Sequence, residues 1–138
     1  MYPQTHIISG LIFVIILGIF TTLPPLALFI ILAASFLIDV DHWLVYVSEK
    51  KDLSIGRSYR WFVDNAKKHK KQGRKFLCIF HTIEFFMVIF ILSFFSNIAF
   101  YIAIGCSLHL FLDLVYSYVY KKESRKPLSI ISWIFFRK

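Results

Sequence analysis

The stretch Ile38-Asp39-Val40-Asp41-His42 ends a long apolar run and sets two carboxylates and an imidazole beside hydrocarbon. Related groups stand far off in the chain: His6, His81 with Glu84, and His109 with Asp113. All of them lie in oily surroundings. An ionisable side chain inside a membrane helix costs about 2.5–3.5 kcal/mol on insertion scales, so such groups are rare and usually functional. Imidazole and carboxylate together suit a divalent metal, with zinc first and manganese or iron as alternatives. The ligands expected to hold it are His6, Asp39, His42, His81, His109 and Asp113. Asp41 or Glu84 is expected to serve as general base or as a further ligand. A lone histidine in a span is ordinarily an interhelical hydrogen-bond partner. The joint set carries the metal reading, because it holds four of the chain's five histidines and half of its eight acids.

The elements that must position these groups read as membrane helices. Of 138 residues, 58% are hydrophobic and 16 are Phe, more apolar surface than a soluble domain of this size can hide. The expected fold is all-α, a single multi-pass membrane bundle over residues 1–138 with four transmembrane helices and a short interfacial helix. The spans are placed at 3–23, 26–47, 77–95 and 98–118. Residues 1–5 carry no Lys or Arg and read as the start of a helix rather than of a signal peptide. Pro24-Pro25 forces the first turn, Ser96-Asn97 makes the last, and Ala33-Ala34-Ser35 offers a patch where another helix can approach closely. Trp43 and Tyr46 read as interface anchors.

All 16 Lys and Arg fall in two blocks, 50–75 and 121–138. A net charge of +8 on a soluble protein would suggest nucleic acid. Flanking apolar helices, it points instead to membrane lipids and anionic headgroups, with no nucleic acid. The turns near Pro24 and Asn97 carry no basic residue, so the loop 48–76 and the tail 119–138 share the cytoplasmic side, and both termini with them. In the loop, Tyr59, Phe62, Val63 and Ala66 recur at helical spacing, which predicts an amphipathic helix on the membrane surface. Arg57 and Arg60 are candidates for phosphate contact. The run Lys67-Lys68-His69-Lys70-Lys71 reads chiefly as positive-inside anchoring. The apolar stretch 128–136 is too short to span and is expected in the interface or under the bundle. Cys78 and Cys106 read as buried free thiols.

Depth follows from a rise of about 1.5 Å per residue. Asp39 and His42 lie roughly 20 and 24 Å from the outer end of their span, and His109 and Asp113 roughly 16 and 22 Å. His81 and Glu84 lie about 6 and 10 Å from the inner end of theirs, and His6 within a turn of the inner end of the first span. All fall in the inner half of a core about 30 Å thick. Asp39 with His42, His81 with Glu84, and His109 with Asp113 are three or four residues apart, so each pair shares a helix face. Asp41 conflicts, since on a continuous helix it points nearly opposite Asp39. Either the helix breaks near Val40, or one aspartate binds while the other acts as base or orients a histidine.

Taken in order, Thr5-His6, Asp39-Val40-Asp41-His42, His81 and His109-Leu110-Phe111-Leu112-Asp113 resemble the LexA-regulated, membrane-bound metal-dependent hydrolase family. The resemblance covers most of the chain, from Thr5 to Asp113. It implies an inner-membrane hydrolase distantly similar to zinc-dependent phospholipases C and nucleases with several zinc ions. The implied reaction is hydrolysis of a phosphoester in a lipid or another membrane-associated substrate by a metal-activated water. Ile38 stands where the family has proline. Phe80-His81-Thr82-Ile83-Glu84 replaces a His-Arg-Gly…Thr-His-Ser stretch, with Glu84 in place of one histidine. Two readings of other classes use the same residues. A cation or proton conductor would need polar groups through the outer half, where helices one and two offer little beyond Thr21, Thr22 and Ser35. A non-catalytic membrane protein would use its metal only to clamp the bundle.

Overall fold

The computed structural model describes residues 3–68, 77–119 and 129–135, and these are all-helical apart from turns and short connections. The helices are α1 (Pro3–Phe20), α2 (Pro25–Leu37), α3 (Val40–Lys50), α4 (Ile55–Lys68), α5 (Ile83–Ser93), α6 (Asn97–Val119) and α7 (Ile130–Phe135), with a 3-10 turn at Ile79–His81. The basic residues of 69–76 and 121–126 lie outside the described residues, as do Arg137 and Lys138.

Among the described residues, two stretches are long and apolar enough to cross a membrane: Pro25–Lys50, which joins α2 and α3 across a short break, and Asn97–Val119. Gln4–Phe20 and Ile83–Ser93 are apolar but shorter. The chain leaves α1 where Pro24 takes an extended conformation and Pro25 opens α2, so α1 stops three residues short of the expected 23. In the other direction α3 runs past the expected 47, to a left-handed Lys51 whose N–H closes on the Val47 carbonyl at 2.8 Å.

The expected span 77–95 is helical only over Ile83–Ser93. Thr82 is extended, its hydroxyl accepts the Phe85 N–H, and it caps α5. His81 therefore sits on the turn before the helix and Glu84 in the helix's first turn. The predicted shared face for these two does not form.

α6 packs between α2 and α5, and α1 packs on α2. The close approach is made at the small residues. A Cβ on Gly105 of α6 would collide with the Ile31 carbonyl oxygen and with Ala34, and one on Gly10 of α1 with the Ser35 hydroxyl. The largest fully buried side chains include His6 and His109 beside Ile31. Large apolar side chains face outward instead, with Phe20 80% and Phe95 83% exposed. Imidazole inside and hydrocarbon outside reverses the order of a water-soluble bundle.

The predicted helix in the basic loop is α4, folded back on α3. Phe62 lies against His42 with ring centres 5.1 Å apart, and Trp61 against Tyr46 at 5.7 Å. Trp43 donates to the Leu53 carbonyl and Tyr46 to Asp52, so both expected anchors tie down this connection. Arg57 grips Asp52 through Nε at 2.6 Å and Nη2 at 2.8 Å, which occupies one of the two candidate phosphate ligands. That paired guanidinium holds the Asp52 carboxyl well below the usual carboxylate range, and Asp52 in turn raises Arg57.

Candidate metal centre

The site is built at the break between α2 and α3. Asp39 N–H reaches back three residues to the Phe36 carbonyl (3.2 Å), and His42 N–H three residues to the Asp39 carbonyl (3.0 Å). This tightened turn rephases the chain and resolves the conflict between the two aspartates. Asp41 Oδ2 lies 3.0 Å from His81 Nδ1, and Asp39 Oδ1 lies 3.7 Å from His81 Nε2. The two carboxylates address opposite nitrogens of one ring.

The break also frees a carbonyl. In an unbroken helix the Ser35 carbonyl would accept from Asp39 N–H, which here bonds Phe36. His109 Nδ1 takes that place, 2.8 Å from the Ser35 oxygen. A carbonyl oxygen only accepts, so His109 Nδ1 carries the proton and Nε2 presents a lone pair. His81 is fixed the same way, because its Nδ1 donates to the Asp41 carboxylate, which also accepts the Phe80 N–H at 3.2 Å.

With both rings neutral, the two Nε2 atoms present lone pairs to each other at 3.2 Å. Two lone pairs at that distance repel unless a positive charge lies between them. Two nitrogen ligands on a tetrahedral zinc, each at about 2.0–2.1 Å, stand about 3.3 Å apart. Asp39 Oδ1 lies 3.6 Å from His109 Nε2, too far for a hydrogen bond and suited to a third ligand. A ring that donates its outer N–H to a carboxylate or backbone carbonyl while its inner nitrogen faces the site is the usual support of a metal-binding histidine.

His6 enters from the first turn of α1. Its ring stacks on His109 with centres 3.8 Å apart, and Nε2 lies 3.3 Å from Asp113 Oδ1. Neither of its ring nitrogens has a hydrogen-bond partner among the described residues, although the residue is only 1% exposed. A buried polar group left so costs about 1–3 kcal/mol, and a cation on the ring would remove that cost. Asp113, one turn beyond His109, places Oδ2 3.8 Å from His109 Nε2.

Among the described residues, the sets His6–Asp39–His109, Asp39–His42–His81 and His81–His109–Asp113 each bring ligand atoms within 4.8 Å of one another. These buried His and Asp groups could hold a metal ion. Asp39 (22%), His42 (21%) and Asp113 (18%) have partly exposed side chains and mark the open flank, while His81 and His109 are closed off.

Two expected residues stand differently. Asp41 faces inward but is taken up by hydrogen bonds: Oδ1 lies 2.6 Å from His42 Nδ1, and Oδ2 serves His81 and Phe80. It is placed to orient histidines rather than to act as a base. Glu84 does not join the cluster. Its carboxylate accepts the Ser129 hydroxyl (2.6 Å) and the backbone N–H groups of Ile130 (3.1 Å) and Ile131 (3.4 Å), and so caps α7. Sequence reasoning missed the Ser35 carbonyl, whose only signal was its place in the small-residue patch. It also missed Cys78, which stands near Asp41 and His42.

The chain matches no protein-family model, no curated protein and no solved structure.

Proposed function

We propose that the chain is a four-span inner-membrane protein with both termini in the cytoplasm, and a metal-dependent hydrolase of phosphoesters in lipids or other membrane-associated substrates. The observation that carries the metal reading is the facing Nε2 pair of His81 and His109, each ring held in its tautomer by an acceptor on the far side. Support for the membrane reading comes from two span-length apolar helices and from apolar side chains around the outside of the bundle. The ordered His and Asp set, which resembles that of the LexA-regulated hydrolases, supports the reaction class.

His6, Asp39, His81 and His109 would be the ligands, with His42 at the rim. A divalent ion, zinc in this reading, supplies Lewis acidity and lowers the pKa of a bound water to about 7. Asp41 keeps the His81 and His42 rings in place. Asp113, partly exposed and beside His6, is the proton acceptor in place of Asp41 and Glu84. The partly exposed carboxylates leave a side open to substrate, which favours catalysis over a closed structural clamp.

The test is hydrolysis of a chromogenic phosphodiester in mixed detergent–phospholipid micelles. Activity is expected to vanish after chelation, return with zinc, and fall about 100-fold or more in Asp113→Asn with metal retained. Metal bound at wild-type levels with no turnover of phosphodiester or phosphomonoester would leave the ion a structural role and refute the hydrolase reading.

A further inference from the structure

Cys78 immediately precedes the 3-10 turn, and its carbonyl accepts the His81 N–H at 3.1 Å, so the turn that places His81 also places Cys78. The thiol is 2% exposed. Its sulfur, one donor atom of His42 and one carboxylate oxygen of Asp41 lie within 4.8 Å of one another. Asp41 joins this trio to the imidazole centre, with Oδ2 toward His81 and Oδ1 toward His42. We infer that Cys78, His42 and Asp41 form a second, thiolate-containing metal site beside the first.

The donor set decides the class of ion. Thiolate with imidazole and carboxylate selects a zinc-type ion over magnesium or manganese, which prefer oxygen. Three protein ligands leave one position of a tetrahedral ion open. His42 is 21% exposed, with Phe62 of α4 against its ring. On binding, the Cys78 S–H bond gives its proton to solvent and a sulfur–metal bond forms, so uptake is proton-linked. Asp41 would then link the two sites, orienting His81 at the first through Oδ2 while serving the second. The site rests on ligand geometry and is independent of what the protein hydrolyses.

The experiment is cobalt(II) loading of the detergent-purified full chain, read by absorption and by metal analysis. Wild type is expected to show a near-ultraviolet thiolate-to-cobalt charge-transfer band and about two ions per chain. Cys78→Ser should lose the band and fall to about one ion, and His42→Gln should do the same. Cys106→Ser keeps the band, and His109→Ala keeps it while losing the other ion. A wild type without the band, a band that survives Cys78→Ser, or undiminished stoichiometry in that variant would overturn the second site and leave the first standing. No cobalt uptake at all would overturn both.

Discussion

Replacing Gly105 by alanine tests the link between helix packing and ring chemistry. Gly105 lies one turn before His109 on α6. A Cβ there would stand 2.7 Å from Ala34 Cβ and 3.1 Å from Ser35 N. Carbon–carbon contacts settle at about 3.5–4.0 Å, so α6 must move away from α2 by about 1 Å. The bond from His109 Nδ1 to the Ser35 carbonyl is now 2.8 Å. Adding that displacement stretches it to about 3.8 Å, beyond hydrogen-bonding range. The imidazole then loses the acceptor that keeps Nε2 unprotonated. Overpacking of this kind costs about 1–3 kcal/mol, and loss of a histidine's outer partner about 10–100-fold in metal affinity. Gly105→Ala would be purified in detergent, unfolded by denaturant and titrated with zinc against a chelator. Both losses are expected. A variant with wild-type stability contradicts the packing argument, and lost stability with intact zinc affinity contradicts the claim that Ser35 sets the tautomer.

Glu84→Gln removes acceptor capacity from the start of α7, so the amides of Ile130 and Ile131 should exchange faster with solvent while zinc affinity stays unchanged; a tenfold drop in affinity would return Glu84 to the metal centre. Asp52→Asn should loosen the start of α4, read as faster exchange at Ser54 and Arg57. Because the folded Asp52 pKa lies below its ordinary 3.8, that contact contributes fully above this pH. It fades only as pH falls below it toward the folded value, so protection of α4 lost already on going from pH 7 to 5 would contradict the pairing. Asp41→Asn should weaken zinc binding at the His81–His109 pair by about 10–100-fold without abolishing it, whereas Asp39→Ala should abolish it there; equal effects would deny Asp41 its orienting role at the first centre.

What could be read from the chain was depth and composition. The meeting of His6, Asp39, His81 and His109 was legible because residue counts along the apolar runs put them at matching levels of the bundle. Adjacent placement then needs only that the helices pack, which Ala34, Ser35 and Gly105 permit. Less legible were the places where a helix starts or breaks. Residues 77–80 are apolar like the helix beyond them, and hydropathy does not register that Thr82 caps that helix. His81 and Glu84 therefore part company, one to the site and one to α7. The spacing of Asp39 and Asp41 did signal a break, and the turn lies at Ile38-Asp39, next to the Val40 where the conflict placed it. That the same turn releases the Ser35 carbonyl for His109 depends on a three-dimensional neighbour, which spacing alone does not contain. Cys78 carried no motif, since its companions lie on α3 and not beside it in the chain.

The most direct measurement is the metal content of the detergent-purified chain, wild type beside His109→Ala and Asp39→Ala, each checked for helicity by circular dichroism. If the imidazoles and carboxylates gather round a shared cation, wild type carries a stoichiometric divalent ion, and both folded variants lose the ion held at the His81–His109 pair. A wild type free of metal after growth and purification with zinc, or variants that keep its full content, would contradict the account at its base.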